Sequence, residues 1–267
     1  MRLWLIGLAI ILLYGAIFFT VSRLVYQPTR YPRGWWHTQS ECGAQDVWLR
    51  TSDGVRLHAW WVAAPGSRLA TLYLHGNGAN LSHRPGHIRE MAAAGTSILM
   101  IDYRGYGKSE GHPTERGLYR DADAGYDYLI ATGYRPEQIV VHGESLGSAV
   151  AADLAARRPC AGLVLECHLT SLSAMAGRIV PWFGAWFANG FDTRRKVAAV
   201  HAPLLVIHGD RDRTVPYTMG RAVFEAGHQP KSFYTVPGAG HKTIVQDGGE
   251  RYRAELRSFY ESLPGSL

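Results

Sequence analysis

The stretch Val140-Val141-His142-Gly143-Glu144-Ser145-Leu146-Gly147 constrains the chain more than any other. It reads as a short buried strand running into Gly-x-Ser-x-Gly and then into a helix over Ala149–Arg157. A serine at such a junction sits on a sharp, strained turn with its Oγ standing clear of the sheet. The flanking glycines leave room for strand and helix to meet around it. So short a motif also arises by chance, so its weight depends on what surrounds it.

What surrounds it is a regular alternation. Val47–Arg50 and Val55–Val62 flank Ser52-Asp53-Gly54, a hairpin signal. Buried-strand runs follow at Leu69–Leu74, Ser97–Ile101, Ile139–His142, Gly162–Glu166, Pro203–His208 and Ser232–Val236. Helical periodicity appears at His87–Ala94, Gly117–Ala131 and Glu250–Leu263. Strands alternating with helices predict an α/β fold: a mostly parallel central sheet of about eight strands with helices on both faces and right-handed crossovers. One stretch, His168–Val200, breaks the rhythm. Its aromatics Trp182, Phe183, Trp186, Phe187 and Phe191 recur at i and i+4. They mark a face of a short helix, read as a small lid over the strand ends or equally as a core-facing helix.

The N-terminus has a different character. Leu3–Ser22 carries no charge and is almost wholly apolar. As a helix rising ~1.5 Å per residue it reaches ~30 Å, the thickness of a bilayer core. A cleaved signal peptide has a shorter apolar region and a small-x-small exit, whereas this segment ends in Phe18-Phe19-Thr20-Val21. The expectation is a single-pass membrane anchor at 1–22, a linker at 23–45, and one domain at 46–267 with its lid at about 168–200. Trp4, Tyr26, Trp35 and Trp36 flank the anchor as interfacial aromatics. Arg2 precedes it and Arg23, Arg30 and Arg33 follow, an imbalance too small to choose the membrane side.

The net charge is +6 and the pI about 9.3, yet no Lys/Arg run is interleaved with aromatics and no zinc-finger spacing is present. A nucleic-acid partner is therefore not expected. Cys42, Cys160 and Cys167 form neither a disulfide framework nor a zinc ligand set, although a single Cys160–Cys167 bridge remains compatible with the sequence. No metal or organic cofactor is implied.

In an open parallel sheet, ligands bind beyond the carboxyl ends of the strands. Four chemically loaded sequences fall at such ends: His75–Asn80, Ser145, His208–Pro216 and Gly238–His241. A serine hydroxyl needs an adjacent base. His241, just after the last strand, is the best candidate, while His228 precedes that strand and belongs at the opposite end of the sheet. The base in turn needs an acid. Asp212 is the first candidate, Asp210 its close rival, and Glu166 the third. A developing oxyanion needs backbone donors. These are assigned to Leu146, the residue after the serine, and to Asn77, with Gly78 as the alternative. His75, His142 and His208 read as structural hydrogen-bonding residues.

Taken together, His75-Gly76-Asn77-Gly78, Asp102-Tyr103-Arg104-Gly105-Tyr106-Gly107-Lys108-Ser109, the elbow, His208-Gly209-Asp210-Arg211-Asp212-Arg213-Thr214-Val215-Pro216 and Gly240-His241 resemble the α/β-hydrolase superfamily from about Asp46 onward. The resemblance implies the α/β-hydrolase fold and the chain order nucleophile, acid, base. In the family's His-Gly-x-x-Asp-x-x-Val-Pro pattern the acid falls on Asp212. The nearest branch is similar to small, often membrane-anchored serine hydrolases that include eukaryotic protein depalmitoylases. That branch often has Pro-Phe-Thr-Ser before its lid, where this chain has His168-Leu169-Thr170-Ser171.

The implied activity is hydrolysis of carboxylic esters or thioesters through an acyl-enzyme on Ser145, on small acyl or lipid-like substrates. Cleavage of peptide or carbon–carbon bonds on the same fold is the alternative, and a tethered binding module without catalysis is a third. Epoxide hydrolases and dehalogenases use an aspartate where this chain has Ser145.

Overall fold

The computed structural model describes residues 23, 25–179, 182 and 188–264. The anchor expected at Leu3–Ser22, and the aromatics Trp4, Phe183, Trp186 and Phe187, lie outside those residues. Among the described residues, no helix is long and apolar enough to cross a membrane.

Eight strands form the central sheet. They are β1 (Gln45–Arg50), β2 (Arg56–Val62), β3 (Ala70–Leu74), β4 (Ser97–Ile101), β5 (Ile139–Glu144), β6 (Gly162–Glu166), β7 (Leu204–Gly209) and β8 (Lys231–Val236). Their spatial order is β8-β7-β6-β5-β3-β4-β2-β1. The hairpin β1–β2 is antiparallel and joins β4 antiparallel, while β3 to β8 run parallel. The chain steps outward from β3 to β4, crosses back over β3 to β5, and then runs outward on the other side. The carboxyl ends of β3 and β5 thus become neighbours at the reversal, with Leu74 opposite Gly143. This crevice is where such a sheet receives a ligand.

The near-continuous apolar strands follow from burial on both faces. Side chains alternate across the sheet. Leu72, Leu74, Leu99, Ile101 and Val141 enter one core, with Tyr73, Ile98, Met100 and Val140 in the other. Helices α1 (Pro85–Ala94) and α7 (Ile244–Glu261) cover the second face through Ile88, Met91, Tyr252 and Leu256. On the first face lie α2 (Glu115–Ala131), α3 (Leu146–Arg157), α5 (Thr193–Val197) and α6 (Tyr217–Ala226). Thr114 starts α2, its hydroxyl accepting the Gly117 N–H at 3.1 Å. In the stretch 168–200, α4 (Leu172–Ile179) is followed by Trp182, which is 90% exposed, and then by Phe191, which is buried against Tyr26 and Tyr119.

Four helices begin earlier than their periodicity predicts, α1 and α2 by two residues and α3 and α7 by more. Helix α3 starts at Leu146 because the strained serine ends the turn, though Gly147 and Ser148 weaken the apolar signal of its first turn. Helix α7 starts at Ile244 and continues past a break at Gly249.

The segment read as a linker is fastened to the domain. Gln27–Pro28 pair in parallel with Gly78–Ala79. Arg30 donates to the carbonyls of Gly105 at 3.1 Å and Gly111 at 2.7 Å, and the Asn80 amide donates to those of Thr29 and Arg33, both at 3.0 Å. Trp36 packs on Trp60 and Tyr26 on Phe191, so these two aromatics are engaged with the domain, while Tyr31 and Trp35 are exposed. The strap lacks periodicity because its contacts are made largely by main-chain groups to loops.

Candidate active site

The elbow forms where β5 passes into α3. Ser145 has φ 53° and ψ −115°, a conformation that costs a non-glycine residue on the order of 1–3 kcal/mol. The surroundings hold it there. The Ser145 N–H donates to the Glu166 carbonyl at 2.8 Å, and the Ser148 hydroxyl donates to the Gly143 carbonyl at 2.7 Å. A Cβ on Gly147 would meet the carbonyl oxygens of Leu74 and His75, and one on Gly143 would meet the Gly147 carbonyl. Both glycines are therefore required by close approach of backbone to backbone.

Three sequence candidates meet at this point. His241 Nε2 lies 3.0 Å from Ser145 Oγ, and His241 Nδ1 lies 2.7 Å from Asp212 Oδ2. The second carboxylate oxygen, Oδ1, accepts the N–H groups of Thr214 and Val215, each at 2.8 Å. Burial pushes the Asp212 carboxyl up, but hydrogen bonds from His208 and His241 outweigh it and hold the group below the usual carboxylate range. An ionised, doubly anchored carboxylate beside Nδ1 keeps the proton on that nitrogen. Nε2 is then free to accept a proton from Ser145 Oγ.

The rival residues have other partners. Asp210 accepts the Gly238 N–H at 2.7 Å and so ties down the loop carrying His241. His228 bonds the Ala198 carbonyl at 2.9 Å and stacks on His201. His75, His142 and His208 are fully buried. His75 Nδ1 donates to the Gly76 carbonyl at 2.7 Å, and His208 Nε2 donates to the Val215 carbonyl at 3.0 Å. His168 is buried beside His208, and burial lowers its pKa to about 3, so it enters the core as a neutral ring.

Glu166, the third acid candidate, is the centre of a buried network under the elbow. Its Oε1 faces His142 Nε2 at 2.9 Å and accepts the Tyr252 hydroxyl, while Oε2 faces His87 Nε2 at 3.2 Å. Glu144 accepts from Arg84 at 2.6 and 3.2 Å and from the Tyr73 hydroxyl at 3.0 Å. Burial pushes both carboxyls up. Arg84 brings Glu144 down to about 2, and His142 and His87 hold Glu166 below its ordinary range. Of these partners the sequence singled out His142, as a structural hydrogen-bonding residue; Tyr73, Arg84, His87 and Tyr252 are scattered polar residues on β3, just before α1, on α1 and on α7.

Leu146 is the first residue of α3, so its N–H has no acceptor within the helix. Across the crevice the loop after β3 is held by its carbonyls. That of Gly76 takes His75 Nδ1–H, and that of Asn77 takes the Gln27 N–H at 3.1 Å and the Tyr106 hydroxyl at 2.7 Å. In a trans peptide the N–H points opposite the C=O. These bonds therefore fix the directions of the Asn77 and Gly78 N–H groups. Of the positioning parts, Tyr106 enters the sequence reading only within the Asp102–Ser109 motif, and the strap only as a linker. Tyr106→Phe is expected to lower kcat about fivefold with KM unchanged, the effect of one hydrogen bond of about 1 kcal/mol. Steady-state kinetics on a soluble ester checks this, and an unchanged kcat would remove Tyr106 from any positioning role.

The family model described as serine aminopeptidase, S33, matches residues 67–193. An uncharacterized protein of Mycobacterium tuberculosis is 37% identical over 235 residues, covering 85% of this chain and 83% of that protein. Human alpha/beta hydrolase domain-containing protein 17B is 31% identical over 229 residues, covering 84% of this chain and 78% of its own. Among solved structures, an esterase from Pyrococcus furiosus superposes with a TM-score of 0.74 at 22% identity, over 90% of this chain and 98% of that one. The chain belongs to the α/β-hydrolase family.

Proposed function

We propose that the protein is a membrane-anchored serine hydrolase cleaving carboxylic esters or thioesters through an acyl-enzyme on Ser145. The observation that carries this reading is the single hydrogen-bonded chain from Ser145 through His241 to Asp212, at 3.0 and 2.7 Å. His241 takes the proton as Ser145 Oγ attacks the acyl carbonyl. The N–H groups of Leu146 and Asn77, with Gly78 as the alternative to Asn77, receive the oxyanion. His241 then protonates the leaving alcohol or thiol, and water activated by the same imidazole releases the acid. The anchor is Leu3–Ser22, as its length and lack of charge support, and the protein resides at a membrane by that segment. The esterase among the structural neighbours is consistent with ester substrates.

A fluorophosphonate probe tests the nucleophile. Wild type is expected to be labelled and Ser145→Ala is not; equal labelling of both would sink the assignment. The description of the matching family model as a serine aminopeptidase supports a second reading, cleavage of an amide on the same residues. Comparing p-nitrophenyl acyl esters with aminoacyl anilides separates the two.

A further inference from the structure

Cys167 takes no part in the chemistry above, yet it borders the groups that do. It follows Glu166 at the end of β6, with φ 46°, and its N–H donates to the Ile207 carbonyl at 3.0 Å. Its thiol is buried, and both it and the half-buried Cys160 are free of any disulfide, so the bridge left open by the sequence is not formed. The Cys167 sulfur, a carboxylate oxygen of Asp212 and a ring nitrogen of His241 all lie within 4.8 Å of one another. Thiolate, imidazole and carboxylate are the three ligand types of protein zinc sites.

The carboxylates around this trio favour a dication. Burial pushes the Cys167 thiol up, and the carboxylates of Asp212, Glu166 and Glu144 push it further. The same carboxylates that oppose a bare thiolate attract a cation of two charges, which reverses the balance once it binds. The distances are compatible with closure. Zinc holds sulfur at about 2.3 Å and nitrogen or oxygen at about 2.0–2.2 Å, so the Asp212 and His241 atoms, 2.7 Å apart, must part slightly while the sulfur, within 4.8 Å of them, draws in. His241 is part-exposed and offers the way in.

We propose that Cys167, Asp212 and His241 form an inhibitory site for a thiophilic divalent cation, with Zn2+ as its reference ligand. On binding, the thiol releases its proton to solvent and the sulfur takes the metal. The metal displaces the proton from His241 Nδ1, the nitrogen facing Asp212, and the neutral ring carries its one proton on Nε2 instead. Nε2 faces Ser145 Oγ at 3.0 Å. It then presents an N–H where the reaction needs an acceptor, and Ser145 loses its base. The inhibition, though not the binding, rests on the hydrolase reading above.

The test uses the full chain with zinc chloride or cadmium chloride alone. Each variant is referred to its own metal-free rate of p-nitrophenyl acetate hydrolysis, with fluorophosphonate labelling as the check of folding. Wild type and Cys160→Ala are expected to lose activity at the same zinc concentration and to regain it with a chelator. Cys167→Ala is expected to need at least about tenfold more metal. Cadmium is expected to add a thiolate charge-transfer band in the ultraviolet to wild type and Cys160→Ala, and none to Cys167→Ala. Inhibition of Cys167→Ala at the wild-type zinc concentration, a cadmium band that survives that substitution, or a wild type indifferent to both metals would overturn the proposal. Were wild type to hydrolyse no ester, the cadmium band alone would decide the site and the loss of the hydrolase reading would stand apart from it.

Discussion

His241→Ala is expected to lower kcat for a soluble acyl ester about a million-fold, and Asp212→Asn about ten-thousand-fold. The two differ because they remove different things. Without His241, Ser145 Oγ has no acceptor for its proton, and among the described residues no other side chain is hydrogen-bonded to it to replace the ring nitrogen 3.0 Å away. Without the Asp212 charge the ring remains, but an amide nitrogen can turn toward Nδ1 and drive the proton to Nε2. The Asn variant retains an oxygen for the Thr214 and Val215 N–H groups, which Asp212 Oδ1 receives at 2.8 Å, so the loop keeps its shape. Asp210→Asn supplies the contrast. Among the described residues its carboxylate accepts the Gly238 N–H at 2.7 Å in an exposed turn, and the substitution is expected to cost less than about tenfold. Rapid-quench or long-time steady-state assays cover this range. A larger loss in Asp210→Asn than in Asp212→Asn would transfer the acid role to the neighbour.

That contrast shows what the sequence could and could not resolve. Strands β4 and β6 were legible to the residue, because a strand buried on both faces is an unbroken apolar run with turn residues at its ends. Ser145, Asp212 and His241 were legible because each follows such a run, and the carboxyl ends of parallel strands come together whatever their separation in the chain. Asp210 and Asp212 could not be told apart by position. They lie two residues apart in one turn, and only the path of that turn decides which carboxylate faces the imidazole. The strap was opaque for another reason. Gln27 and Thr29 use main-chain N–H groups to reach Asn77 and Ala79, and main-chain bonds leave no side-chain pattern. Cys167 was invisible as a ligand because its partners come from the turns after β7 and β8, at no motif spacing. Glu166 was seen, but as a rival acid. A carboxylate at a strand end carries the same sequence signal whether it serves chemistry or the core.

For Glu166 the core reading makes the larger prediction in stability. Glu166→Gln is expected to destabilise the fold by about 3 kcal/mol, measured by urea unfolding at neutral pH, while Glu225→Gln in the exposed pair with Arg221 is expected to cost less than about 0.5 kcal/mol. His142, His87 and Tyr252 converge on the two oxygens of one buried carboxylate, and an amide offers one oxygen and turns donor hydrogens toward the remaining partner. The main-chain carbonyl of the same residue holds the Ser145 N–H at 2.8 Å, so loosening this network also loosens the elbow. The pH dependence carries the sign of the shifts. Glu144 and Glu166 both titrate lower in the folded protein than in the unfolded chain, so the unfolded chain takes up protons first as pH falls. Their contribution is complete above the unfolded value, near 4.5, and is lost as pH drops toward about 2, the folded value of Glu144. Wild type should therefore lose stability steeply through that window, and Glu166→Gln should lose it less steeply, having one fewer depressed carboxyl to protonate. A variant as stable as wild type at neutral pH, or with the same acid slope, would mean that the three partners draw nothing from the charge on Glu166.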